Sequence, residues 1–472
     1  MRSKVIAAFG LGLFTIAAQT VLLREYLVLF RGSELALGCF FAAWFGWIAL
    51  SAGIAWRTSP SRPGTLLVLQ PVASILALIA LMVVRPWCGV RPFEPSTPLV
   101  LSVGALVGAF PVSVVTGFAF PGLCAMAGSN RGYVAETLGA VIGGAAATAF
   151  AGADGLLTLG VAGLIEVVAA WPVALGERFG RRLAQIALFL VVLTLVPPTG
   201  PALRAFLADL RLSSSLEGAT LLSEERTPYH LVQTAKVQGQ VVLLSDGAVA
   251  ASFPPGPDTE MRAALLACQA GKRDRAVVFG QARLDLAVAL ARYFGHVDLL
   301  AMDSTASEAM ARAWRVAAGS PLPGNLSIVN RDPRAYARDG GQADLLVVAE
   351  GEPSTMLLNR LYTVEFYQDV ARMLAPSGVL ATSVLSAENF IGTELLRYGQ
   401  SVYATMAAVF GTVVVVPGDR ALLLASLVPG QVTADPRVLA DRYRAFSDRP
   451  ISPEAFASAV LPERAEFARA AY

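Results

Sequence analysis

The feature that most constrains this chain is a change of solvent near Pro197–Pro198. Before that point almost any stretch of about 20 residues is apolar enough to lie in lipid. After it, short apolar runs alternate with charged, helix-period segments, as in a water-soluble α/β domain. Seven runs before the change are candidate membrane spans: 5–23, 35–56, 64–84, 98–126, 134–153, 155–175 and 183–197. The first is too long, and too soon followed by another, to read as a cleaved signal peptide. Charged residues make up only 15% of the chain, against roughly 25% in soluble proteins.

Inside the apolar part, Pro111 and Pro121 predict a kinked or broken helix over 98–126. Gly139, Gly143 and Gly144 predict close backbone approach in a packed bundle. The amino terminus and alternate loops carry Arg2, Lys4, Arg57, Arg62, Arg131, Arg178, Arg181 and Arg182, and the opposite loops carry Arg24, Arg31, Arg85 and Arg91. That bias puts the amino terminus in the cytoplasm of a multi-pass inner (plasma) membrane protein. Seven crossings then place the soluble part in the periplasm or exterior, whereas a re-entrant 134–175 would return it to the cytoplasm.

Polar residues within spans are functional suspects, because burying charge in lipid is costly. Gln19, Arg24, Glu25, Arg31 and Glu34 gather at the end of the first span, Glu136 opens the fifth, and Glu166 sits near the middle of the sixth. Interfacial snorkelling is the plain reading of Arg24, Arg31 and Glu34. For Glu166 it is a hydrogen-bonded neutral carboxyl or an ion pair with another helix. Carboxylates at matched depth are too few to favour transport, and a transporter with a regulatory soluble domain stands as an alternative. The four cysteines have neither pairing nor metal spacing, and two histidines give no basis for a histidine metal site. A net charge of +2 gives no case for nucleic acid.

Residues 198–216 read as a linker with a short amphipathic segment. Residues 217–256 alternate and turn at Gln238-Gly239 and Asp246-Gly247, predicting a small antiparallel β-module. Over 257–430, strands at 276–280, 297–303, 326–330, 344–350 and 379–385 alternate with helices near 259–270, 284–294, 306–318 and 359–374. Runs 411–418 and 421–427 suggest a final antiparallel pair. Residues 431–472 form a helical tail. The predicted fold is therefore an α-helical transmembrane bundle (1–197) joined to a β-module and a Rossmann-like, doubly wound α/β sheet.

This order resembles the spermidine synthase (polyamine aminopropyltransferase) family, and more closely its membrane-fused relatives. The matching pieces are TPYH (227–230), LLSDG (243–247), Glu260, VVFG (277–280), Asp303, NRDPRAYA (330–337) and the run 352–380. AQTVLLREYLVLFRGSELALG (18–38), GFAFPGLCAMA (117–127) and ETLGAVIGG (136–144) match in the helical part. The resemblance implies cofactor contacts from Gly280, Asp303 and Asp332, with an S-adenosyl nucleoside as cofactor. It implies substrate contacts from Tyr229, Glu260 and Tyr362.

The catalytic pieces do not all carry over. The family's glycine-rich, acidic first loop is here Gly280-Gln281-Ala282-Arg283-Leu284, which sets a cation where a sulfonium would lie. The family's D-x-x-D-P base motif is Ala349-Glu350-Gly351-Glu352-Pro353. Glu350 and Glu352 remain as candidate bases, Glu350 displaced by one residue and hence reversed in direction at a strand end. An amine nucleophile is inert while protonated. The expectation is a degenerate domain acting as a scaffold or partner-binding subunit in the bilayer, with a protein partner or a second copy. A transferase acting on an altered nucleoside or amine, including residual polyamine synthesis, is the alternative. The plain reading of Asp303, Asp332, Glu260 and Tyr362 is caps, turns and packing.

Overall fold

The computed structural model describes residues 2–30, 32–58, 62–91, 96–387 and 391–472. It divides into two compact units, one of Met1–Gln233 with Ser245–Ala248, the other of Thr234–Leu244 with Val249–Tyr472. The division runs through the β-module, whose strands β1 (Thr220–Arg226), β2 (Leu231–Val237), β3 (Gln240–Ser245) and β4 (Ala248–Phe253) follow one another in sheet order. Both expected turns are present, with positive φ at Gln238, Gly239, Asp246 and Gly247, the backbone that a tight hairpin of this kind requires.

The first unit is helical: α1 (Arg2–Leu29), α2 (Glu34–Thr58), α3 (Pro63–Trp87), α4 (Pro98–Ala127), α5 (Ser129–Ala149), α6 (Gly155–Ala174), α7 (Gly180–Leu195) and α8 (Thr199–Ser215). Among the described residues, five helices are long and apolar enough to cross a bilayer: α1, α2, α3, α4 and α6. The pair α7 and α8, bent by 74°, makes a sixth if counted as one span. This corrects the expected seven. α5 opens on Ser129, Asn130 and Arg131 and carries Glu136, which lowers its mean hydropathy, and α7 has only 16 residues. α4 runs unbroken through Pro111 and Pro121, since packed neighbours tolerate the bond each proline removes. The expected linker 198–216 is instead mostly α8, with Leu207, Ala208 and Leu212 buried.

α1 lies against α3, α4, α5 and α6. Its crossing with α5 is close because of small residues. A Cβ on Gly139 or Gly143 would run into the carbonyl of Phe9 or Leu13, and one on Gly12 into the carbonyl of Glu136. At the far end of α1, buried Glu25 pairs with Arg211 of α8 at 2.9 Å and with Arg226 of β1, while Arg211 grips both oxygens of Glu224 at 2.7 and 2.6 Å. Arg24 donates to the carbonyls of Ala151 and Thr227. It is therefore held within the unit rather than snorkelling. Arg31 lies outside the described residues.

The second unit adds α9 (Pro257–Gln269), β5 (Arg275–Phe279), α10 (Leu284–Leu290), β6 (His296–Leu300), α11 (Ser304–Ala318), β7 (Leu326–Val329), α12 (Pro333–Asp339), β8 (Ala343–Val348), α13 (Met356–Asn359), α14 (Val364–Met373), β9 (Leu374–Leu385), α15 (Thr393–Phe410), β10 (Val413–Val416), β11 (Arg420–Ser426), α16 (Pro436–Arg444), α17 (Ala455–Ala459) and α18 (Pro462–Ala471). Its seven-stranded sheet has the order β10-β11-β9-β8-β5-β6-β7. β5 through β9 pair in parallel, and β11 is antiparallel to both β9 and β10. The sheet is thus mixed, and its final antiparallel pair is the one expected. The helix expected over 359–374 is two helices, α13 and α14, separated at 360–363, where Thr363 caps α14. The tail packs on this unit: Tyr472 donates to Ser386 Oγ at 3.1 Å and Gln400 to the Ala471 carbonyl at 2.7 Å.

Candidate functional site

β5 has β6 on one side and β8 on the other. The chain leaves the centre of the sheet in both directions there, so the loops after these strands border the crevice where open α/β sheets bind ligands. Those loops carry Gly280, Asp303 and Ala349.

Gln281 joins all three. It is buried, its backbone N–H donates to Glu350 Oε1 at 3.0 Å, and its Oε1 accepts from the N–H groups of Met302 at 2.7 Å and Asp303 at 3.3 Å. A glycine here would leave that volume open, whereas glutamine fills it. Arg283 folds back beside Gly280: a Cβ on Gly280 would stand 2.9 Å from Arg283 Cγ and 3.4 Å from Ala349 Cβ. Arg283 Nε is 3.2 Å from Asp285 Oδ1. Burial raises the Asp285 carboxyl above its usual range against the pull of Arg283. Burial lowers Arg262 to about 10, helped by the like charges of Arg283 and Arg420. Arg262 therefore lies close enough to both guanidiniums to feel their charge.

Asp303 caps α11, with Oδ1 accepting from the N–H groups of Thr305 and Ala306 at 3.0 and 3.3 Å. Its Oδ2 is buried without a partner, as is Gln281 Nε2. Asp332 caps α12 through the N–H groups of Arg334 and Ala335 at 2.9 and 3.1 Å, and its Oδ2 meets Arg360 Nη1 at 2.6 Å. Burial acts to raise the Asp332 carboxyl, but these amides and Arg360 prevail and hold it below the ordinary range.

The strand-four acids are also engaged. Glu350 accepts from Gln281, and Glu352 binds Arg420 and the Tyr398 hydroxyl. Tyr362 is buried, donates to the Gly351 carbonyl at 3.0 Å, and packs in the core. Glu260 lies 3.6 Å from Arg292, and burial first, then Asp448, raises its carboxyl. It is therefore directed toward Arg292. Tyr229 belongs to the first unit and is exposed.

Solved spermidine synthases are similar to this chain. One, in complex with the transition-state analogue AdoDATO, is 15% identical with a TM-score of 0.43, covering 53% of this chain and 87% of that one. The enzyme from Thermotoga maritima is 14% identical with a TM-score of 0.42, covering 53% and 86%. Human methyltransferase-like protein 13 in complex with SAH is 18% identical with a TM-score of 0.33, covering 42% and 96%. Scores of this size assign neither activity nor ligand to this chain. No family model matches the chain and no curated protein matches it.

The structure thus brings Gly280, Asp303 and Glu350 to one set of loops through Gln281, and ties Asp332 to the same neighbourhood through Arg360, whose Nη2 also reaches Met302 Sδ at 3.2 Å. Gln281, Arg360, Tyr398 and Arg420 were not singled out by sequence. Only Gln281 had a signal, as a large polar residue standing where a glycine-rich turn would otherwise run.

Proposed function

We propose that this chain is an integral membrane protein whose carboxyl-terminal unit keeps an aminopropyltransferase-like frame without that chemistry, and serves as a binding or scaffolding subunit of a membrane assembly. One observation carries the reading. The base position is Ala349, and the nearby acids Glu350, Glu352 and Asp332 are each already engaged within the unit. Each of these three acids is committed to a partner inside the unit, whereas a base must be free to take a proton from the attacking amine. The test is methylthioadenosine release from decarboxylated S-adenosylmethionine and putrescine by the detergent-purified full chain. The expected rate is background, for the native chain and for Ala349→Asp, because Arg283 would still face the sulfonium. Turnover by the native chain would sink the reading.

A second reading rests on Asp303. Its free Oδ2 accepts and the free Gln281 Nε2 donates, a pair suited to ligand hydroxyls such as a ribose diol. The ribose end of an S-adenosyl nucleoside fits these residues. Its sulfonium does not fit Arg283, since like charges repel. A neutral nucleoside should therefore bind better than a cationic one. Methylthioadenosine at about 100 times its Kd should stabilise the native chain by roughly 2.7 kcal/mol, with less effect from decarboxylated S-adenosylmethionine and none in Asp303→Asn. Equal shifts from both ligands, or none at millimolar concentration, would end this second reading.

A further inference from the structure

The first unit has a pocket where α1 nears its end, α5 stops and α6 starts. Its walls include Thr20, Arg24, Ala147, Phe150, Gly155 and Arg226. It measures about 280 Å3 with its open mouth included. The enclosed part has room for about one oxygen-sized group, so a larger anion would enter by a single oxygen and rest at the mouth. Two guanidiniums share this pocket. The Arg226 side chain is only 9% exposed, its Nη2 reaches Glu25, and its Nε is buried without a partner. Arg226 Nη1 stands 3.9 Å from where a Cβ on Gly155 would lie. Arg24 donates to the carbonyl of Ala151 and, at 2.7 Å, to that of Thr227. Those oxygens carry no net charge to balance it.

The acids nearby are already shared. Glu25 serves both Arg211 and Arg226, and Arg211 also holds Glu224, so three guanidiniums meet two carboxylates. Asp246, whose field reaches Arg24, is bound by His230 at 2.9 Å and by the Leu231 amide at 2.8 Å. Asp154, beside Gly155, caps α6 through the Leu157 amide at 3.0 Å. A buried donor without an acceptor is costly, and an unbalanced cation beside apolar spans is more so. An anion at the mouth removes both costs. The surroundings say what comes with that anion. Phe150 is exposed. One turn back from the pocket on α1 is Ile16, half-buried, and about one turn back on α5 is Gly144, where a Cβ would stand 3.2 Å from Ile16 Cγ2. The cationic pocket thus continues into an apolar seam between α1 and α5. A phospholipid has this pairing, a phosphate joined to acyl chains, whereas a soluble anion has the charge alone.

We propose that this pocket holds the phosphate of an anionic phospholipid, with Arg24 and Arg226 as its cations and an acyl chain along the seam of α1 and α5. The inference rests on the proposed membrane setting of the first unit and is independent of the chemistry of the carboxyl-terminal unit. The test is thermal unfolding of the full chain in a maltoside detergent with added phosphatidylglycerol, phosphatidylcholine or inorganic phosphate. Phosphatidylglycerol should stabilise the native chain saturably, and the other two should do so less at equal concentration. Arg24→Gln should raise the half-saturating phosphatidylglycerol concentration about tenfold, and Arg24→Lys, which keeps the charge, should raise it less. If Arg24→Gln fails to fold, Ala153→Glu in the same wall decides against the equal-sized Ala153→Gln, the glutamate weakening the response more. An equal shift from phosphatidylcholine, an equal shift from inorganic phosphate, which would assign a free anion instead, or an unchanged midpoint in Arg24→Gln would each overturn the proposal. Release of the native chain from cell membranes by alkaline carbonate would remove the membrane setting itself. A chain that needs detergent for extraction yet ignores phosphatidylglycerol would overturn this proposal alone.

Discussion

At the scale of single residues, the carboxyl-terminal unit shows how side chains of one chain can occupy each other's chemical capacity. Asp332 is the clearest case. Its carboxylate holds two helix amides and Arg360, and its pKa lies below the ordinary value. A carboxyl lowered in the folded state contributes stability above its unfolded pKa of about 3.9, and that contribution is lost as pH falls through the folded value. Asp332→Asn should therefore cost about 1 kcal/mol at pH 7, and the difference from the native chain should vanish in strong acid. Thermal unfolding of both proteins at pH 7 and near pH 3 checks this. A difference unchanged between the two would mean that the helix cap, not the charge, is what matters.

At the scale of elements, the crossing of α1 and α5 depends on missing side chains. Gly139 and Gly143 face the carbonyls of Phe9 and Leu13, so any Cβ must push backbone against backbone. Gly139→Leu should destabilise the helical unit by about 1–3 kcal/mol or more, the cost of overpacking a closed interface. Gly46→Leu, where nothing lies within 4 Å of a built Cβ, should cost far less. Comparable losses at the two positions, measured as detergent thermal stability, would argue against a close crossing. The hairpin turns behave as their residues dictate, because positive φ is cheap only at Gly and tolerable at residues such as Asp246.

At the scale of the whole molecule, the number of crossings decides the side of the membrane. We propose that the amino terminus lies in the cytoplasm and that the five candidate single-helix spans carry the carboxyl-terminal unit to the outside. Counting α7 and α8 as a sixth span would put it inside. Ser458 is exposed, so a Ser458→Cys chain lacking the exposed Cys88 should react with a membrane-impermeant maleimide in intact cells. Labelling only after lysis would place the unit in the cytoplasm and replace the outside topology.

The sequence by itself determined the two-part character of the chain, the strand and helix alternation and the hairpin turns. These are local: each follows from hydropathy over a short window, from backbone preference, or from a residue's identity. Tertiary structure decided what depends on neighbours distant in sequence. Whether Glu350, Glu352 and Asp332 are free or engaged rests on Gln281, Arg420, Tyr398 and Arg360, up to 69 positions apart in the chain. The span count fell because helix boundaries decide it: α5 takes in the polar Ser129, Asn130, Arg131 and Glu136, and α7 has only 16 residues. The hydrogen bonds of Gln70 to Thr15 and Thr116 likewise exist only once α1, α3 and α4 meet.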